Sequence, residues 1–156
     1  MKKLMNLALS LLVIFTLAGC GAEQTATYSM VTDLNGMTMT DTMTYSAKGD
    51  LVYEMKDVVT MDFTGYAEET KASDMELYAS TYEAMCEKAP NGVTMTCETS
   101  GDIITVNMDI DFKSADLQEL VDNGYIYTTA DENGKLRAIS FKQSCKSLEA
   151  TGYTAQ

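Results

Sequence analysis

From Thr27 to Phe63 the chain alternates between apolar and polar residues, and few folds accept that pattern. Tyr28, Met30 and Leu34 share one face. After Asn35-Gly36 the same holds for Met37, Met39, Met43 and Tyr45, with threonines at 38, 40, 42 and 44 opposite. After Ala47-Lys48-Gly49-Asp50, the residues Leu51, Tyr53, Met55, Val59, Met61 and Phe63 alternate against Glu54, Lys56, Thr60 and Asp62. Successive side chains of a strand point to opposite faces, so this spacing describes strands buried on one side only. Asn-Gly between two such runs is a hairpin turn. The segment predicts a three-stranded antiparallel meander.

The period lengthens after Gly65. Met75, Tyr78, Tyr82, Met85 and Cys86 fall at helical spacing ahead of Pro90, and Ser73 with Glu76 has capping-box spacing, predicting a helix over 73–88. Val93, Met95 and Cys97 then alternate, as do Ile104, Val106, Met108, Ile110 and Phe112 beyond Ser100-Gly101-Asp102, giving a hairpin. A short helix is expected from Ser114 to Val121. Residues 125–137 are ambiguous; Tyr125, Ile126 and Tyr127 allow a short strand before the Asp131-Glu132-Asn133-Gly134 turn. A closing helix over 140–150 buries Phe141, Cys145 and Leu148 and stops at Gly152. Strands with a single apolar face need one layer of cover. The expected fold is therefore α+β: an antiparallel sheet of about five strands, meander plus hairpin, with two main helices packed on one face.

The amino terminus says where such a domain would live. Lys2 and Lys3 precede a largely apolar run from Leu4 to Leu17, which ends in Leu17-Ala18-Gly19-Cys20. Cations, an apolar core and small residues before the cut are the parts of a secretory signal peptide. A cysteine at the cut resembles the lipobox of bacterial lipoproteins, in which the thiol is diacylglycerylated and becomes the first mature residue. A spanning helix needs about 20 apolar residues, and Gly21, Glu23 and Gln24 interrupt too soon. Two acyl chains anchor a protein durably where one does not. The expected organisation is a signal peptide at 1–19, a lipidated terminus and short tether at 20–26, and a single domain at 27–156. The expected location is the extracytoplasmic face of a bacterial cell membrane, held through Cys20.

Charge narrows the partners. The whole chain carries a formal −12; loss of Lys2 and Lys3 with the signal makes it −14. Such a chain is repelled by nucleic acid and by anionic membrane surfaces, so neither is expected as a partner for the charge itself. Three cysteines then remain, Cys86, Cys97 and Cys145, in a compartment that permits disulfides. Cys86 and Cys97 close the shortest loop, across Pro90-Asn91-Gly92, and a bridge there would contribute about 3 kcal/mol. That pairing is the expected disulfide, with Cys145 a small buried hydrophobe and the competitor for either partner.

The segment Asp111-Phe-Lys-Ser-Ala-Asp-Leu-Gln-Glu-Leu120, followed by Ile139-Ser-Phe-Lys-Gln-Ser-Cys-Lys-Ser-Leu-Glu-Ala-Thr-Gly-Tyr153, resembles the carboxy-terminal half of the YehR-like bacterial lipoproteins. The order of lipobox, meander, helix, hairpin and closing helix is similar as well. The resemblance implies a small α+β lipoprotein of unknown function, and so transfers no catalytic or binding residues. Cys86, Cys97 and Cys145 stand outside the family pattern.

Chemistry is sparse. The chain has no histidine, which removes the commonest general base and every Ser/His or Cys/His pair. Ser114 beside Lys113, and Ser144 near Lys146, are neighbours in sequence alone. The reading is therefore not an enzyme, with no catalytic residues, no cofactor and no metal. Asp109 and Asp111, near Asp102 and Asp116, offer oxygens of the kind calcium takes, but a solvated strand face explains them. Met37, Met39 and Met43 could suit Cu(I), yet the same positions must fill the core, where methionine serves as flexible packing. Tyr66, Tyr125, Tyr127 and Tyr153 lie outside the core stripes, and the irregular stretch Gly124–Gly134 is aromatic and acidic. The functional expectation is a tethered accessory or binding module of the cell envelope, whose partner is an envelope protein or a small ligand. The alternative is a solute-binding lipoprotein serving a transporter, which would need a cleft of about 300 Å3 or more.

Overall fold

The computed structural model describes residues 21–156, so the signal peptide and Cys20 lie outside the described residues. Strands β1 (Glu23–Leu34), β2 (Met37–Lys48) and β3 (Leu51–Asp62) form the expected meander. They are followed by α1 (Glu68–Glu87), β4 (Val93–Ser100), β5 (Ile103–Asp111), α2 (Leu117–Asp122), α3 (Phe141–Ala150) and β6 (Thr154–Ala155). The result is one six-stranded sheet in the order β4-β5-β3-β2-β1-β6, antiparallel throughout. Asn35 and Gly36 both take positive φ, 58° and 92°, as the tight turn of a two-residue hairpin demands.

The α+β reading holds, with additions at the edges. Strand β6 is a sixth strand, and β1 takes in Glu23–Ala26, which the sequence had assigned to the tether. Helix α1 begins at Glu68, not Ser73. The Ser73 hydroxyl donates to the Thr70 carbonyl at 2.8 Å inside the helix, and Ala67 stands at the N-cap without a side-chain bond. Glu68 and Glu69 in the first turn favour the positive end of the helix dipole. The short helix starts three residues later than expected, where Asp116 caps the Gln118 and Glu119 N–H groups. Tyr125–Tyr127 form no strand; Ile126 is buried and Tyr127 is 94 % exposed. Among the described residues no helix is long and apolar enough to cross a membrane.

Register explains how one face becomes the core. Met61 lies opposite Ile104, and Met55 opposite Ile110, all on one side of the sheet. Met75, Ala79 and Tyr82 of α1 pack on Met61, Ile104 and Val106 at one end of that face. At the other end, Leu120 of α2 with Phe141 and Leu148 of α3 packs on Tyr45, Met55 and Ile110. Phe63 is fully buried at the first end, with Tyr66 against it edge-on at 5.4 Å. The opposite face is polar and bears hydroxyl pairs across strands, Thr27–Thr44 at 3.0 Å and Ser29–Thr42 at 3.3 Å.

The expected Cys86–Cys97 bridge is corrected: Cys86, Cys97 and Cys145 are all free thiols. A strand rises about 3.3 Å per residue and a helix 1.5 Å. Four strand residues from Val93 to Cys97 thus climb past about nine residues of the antiparallel helix. Cys97 accordingly meets Ala79, with Sγ 4.0 Å from its carbonyl oxygen. Cys86 lies seven residues further on, about 10 Å along the axis, whereas a bridge needs Cα atoms within about 7 Å.

Candidate functional site

Two residues break the apolar period that builds the covered face. Asp41 stands between Met39 and Met43 on β2, and Asp57 between Met55 and Val59 on β3. Pairing sets Asp41 opposite Val59 and Met43 opposite Asp57, so the two aspartates are diagonal neighbours on the same side of adjacent strands. Diagonal positions lie about 7–8 Å apart at the backbone, within reach of each other's side chains. The alternation therefore carries both carboxyls into the middle of the core face, between the packing clusters beneath α1 and α3.

Their surroundings are short of donors. The Tyr153 hydroxyl donates to Asp41 Oδ2 at 2.7 Å, drawn in by the chain turning back from α3 into β6. Asp41 Oδ1 and Asp57 Oδ1 are buried and receive no protein donor. A buried carboxylate oxygen without a donor is costly, and two carboxylates side by side repel. A single proton held between them relieves both faults. Burial first, then the charge of Asp41 and a hydrogen bond to it, push the Asp57 carboxyl up to about 7. Burial and the same two carboxyls push Tyr45 up to about 12 and also raise Tyr82 of α1. Burial, then the bond to Asp41, raises Tyr153. The phenols therefore stay protonated while the Asp57 carboxyl is held up toward neutrality. This is a buried carboxyl pair set under a layer of tyrosines. Removing the Tyr153 hydroxyl leaves Asp41 Oδ2 unpaired, so Tyr153→Phe is expected to lower stability by about 1–3 kcal/mol in urea unfolding. An unchanged midpoint would show that the bond contributes nothing.

The positions singled out in the sequence disperse. Met37 is buried among Met61, Phe63 and Ile104 with Met39 beside it, while Met43 belongs to the other cluster. Asp102 pairs with Lys71 at 3.0 Å. Asp109 meets Lys56 at 3.5 Å, Asp111 accepts from the Lys113 N–H, and Asp116 caps α2. Among the described residues no group of three or more acidic, cysteine or histidine side chains is placed to hold a metal. Ser114 turns to Asp111, and Lys113 lies over the Tyr53 ring at 4.3 Å. Of the four tyrosines set aside for binding, Tyr66 bonds Asp74, Tyr125 packs on the core and Tyr153 joins the carboxyl pair. Tyr127 alone of these projects into solvent. A groove of about 280 Å3 opens beside β5, lined by Glu54, Thr94, Asp109, Asp111 and Ser114.

Comparison with known proteins bears on the fold and the family. A family model described as "Protein of unknown function (DUF1307)" matches residues 24–154. Among solved structures, the chain is similar to the NMR structure of the E. coli YehR protein, at 21% identity and a TM-score of 0.62, covering 86% of this chain and 91% of that one. It is also similar to the NMR structure of a protein from Streptococcus pneumoniae TIGR4, at 16% identity and a TM-score of 0.51, covering 100% and 98%. No curated protein matches. The YehR-like resemblance seen in the carboxy-terminal residues thus extends to the whole described fold.

Proposed function

Since the chain belongs to the DUF1307 family, whose function is unknown, we propose a role from its own residues: a membrane-anchored extracytoplasmic lipoprotein, acting as a non-enzymatic accessory or binding module of the cell envelope. One observation carries the reading. Among the described residues the earliest hydrogen bond is made at Ala22, whose carbonyl accepts from Gly49 N–H at 2.9 Å, and β1 begins at Glu23. A cut between Gly19 and Cys20 would fall ahead of every described element and leave Cys20 as the first residue, the one to be acylated.

The carboxyl pair fits a module that responds to its surroundings without chemistry on a substrate. Burial holds the Asp57 carboxyl toward neutrality within the packed face, beside the Asp41 that Tyr153 bonds.

Mature protein is expected in the membrane fraction, and the Cys20→Ser variant in the soluble extracytoplasmic fraction, at a shift of at least about tenfold in the ratio of the two, as two acyl chains imply. A variant that stays with the membrane after the signal is removed would place the anchor elsewhere.

A further inference from the structure

The lipid reading fixes which end of the domain meets the membrane, and the residues at that end are unlike those at the other. Cys20 precedes Ala22 by two residues, a span of no more than about 7 Å. Ala22 is bonded to Gly49, and the Gln24 side-chain amide also donates to the Gly49 carbonyl. The turn between β2 and β3 is thereby held beside the anchor. Two other segments are bound to that turn. Phe141 N–H donates to the Asp50 carbonyl at 2.9 Å, bringing in the start of α3, and Phe112 N–H donates to the Tyr53 carbonyl at 3.0 Å, bringing in the end of β5.

These three segments expose Leu51, which is 54 % accessible, together with Lys48, Lys113 and Lys142. The acids at or beside them are Glu23, Asp50, Glu54, Asp111 and Asp116. Asp50 is engaged by the Ser140 hydroxyl at 2.8 Å and Lys142 N–H at 2.9 Å, and Asp111 by Lys113 N–H at 3.0 Å. At the far end of the strands, about 40 Å away at the strand rise per residue, stand Asp33, Asp62, Glu68, Glu69, Asp74 and Asp102, with Lys71 paired to Glu68 and Asp102. The charge of this acidic chain is polarised along the strands.

We propose that the end formed by the β2–β3 turn, the Phe112–Ser114 segment and the start of α3 is a lipid-facing surface: Leu51 enters the headgroup layer, and Lys48, Lys113 and Lys142 lie over phosphates of anionic phospholipids. The proposal rests on the acylation of Cys20. The short tether prevents the domain from turning over, and an anionic bilayer repels the acidic pole outward. A net charge that disfavours the membrane for the molecule as a whole thus orients it once anchored.

The test uses the full lipidated protein on vesicles of phosphatidylcholine with phosphatidylglycerol, alongside the unanchored Cys20→Ser protein. After flotation, lysines are pulse-acetylated and each is quantified by mass spectrometry. Lys48, Lys113 and Lys142 are expected to react about fivefold more slowly on vesicles than in the unanchored protein, with Lys56 on the polar sheet face little changed. Leu51→Asp, an exposed change that the fold tolerates, should float equally well and lose most of that protection. Protein that floats with all lysines equally reactive overturns the surface while leaving the anchor in place. Protein that fails to float overturns the anchor, and the surface with it.

Discussion

Stability is expected to fall by up to about 4 kcal/mol between roughly pH 4 and pH 7 through Asp57 alone, and Asp57→Asn should remove that loss. In the unfolded chain the Asp57 proton leaves at the ordinary 3.8; in the fold it is held to about 7. Below the lower value both states carry the proton, and the full contribution is present. Between the two the unfolded chain releases its proton and the native chain does not, so each pH unit shifts the balance toward unfolding by about 1.4 kcal/mol. Above the upper value the contribution is gone and the curve flattens. Asparagine keeps the shape, donates to Asp41 through its amide and never ionises. Urea unfolding across that range should show wild type and variant converging at acid pH and separating above neutrality, with the variant the more stable. Parallel curves would mean that the two carboxyls do not share a proton.

A second large effect is expected at Gly92. Its φ is +81°, and a β-carbon there would lie 2.6 Å from the Ala115 nitrogen and 2.7 Å from the Ala115 α-carbon. That approach is what allows the Gly92 carbonyl to take the Asp111 N–H at 2.8 Å and so close β4 onto the end of β5. Backbone cannot move aside as a side-chain tip can. Gly92→Ala should therefore cost about 3–5 kcal/mol, combining left-handed strain with a displaced loop. Gly101, at φ +59°, has open space around it, so Gly101→Ala should cost only about 1–2 kcal/mol. Thermal or urea midpoints of the two variants measure the difference. Equal losses would show that the contact with Ala115 can relax.

The meander, the hairpin and the closing helix were legible because each is written in local periodicity and turn residues. Ser140 caps α3 by accepting from Gln143 N–H at 3.2 Å, as a serine before an apolar stripe should. What escaped depends on distant partners. Strand β6 is two residues long and exists through its pairing with Tyr28 and Ser29. Helix α1 extends upstream of Ser73 through Glu68, Glu69, Lys71 and Ala72, good helix formers that continue no apolar stripe, and its cap, Ala67, carries no signal. The disulfide failed on the relative slopes of helix and strand, which cysteine spacing does not encode. The carboxyl pair was in fact visible: Asp41 and Asp57 occupy the apolar parity of β2 and β3, and a charged residue there calls for a partner. Which partner it finds is a matter of register, and register came only with the fold.

The last four residues close the sheet as well as the carboxyl pair. Strand β1 is twelve residues long, but β6 pairs with only two of them, and Gln156 N–H adds a bond to the Thr27 carbonyl at 2.9 Å. An unpaired strand edge is a template for another chain. The tail acts as a stopper, capping the middle of the edge where an incoming strand would otherwise find an unbroken row of donors and acceptors. Its tyrosine binds Asp41, so the stopper is seated by the same hydroxyl that serves the buried proton. The cap on the sheet edge and the buried carboxyl pair are thereby joined through one side chain.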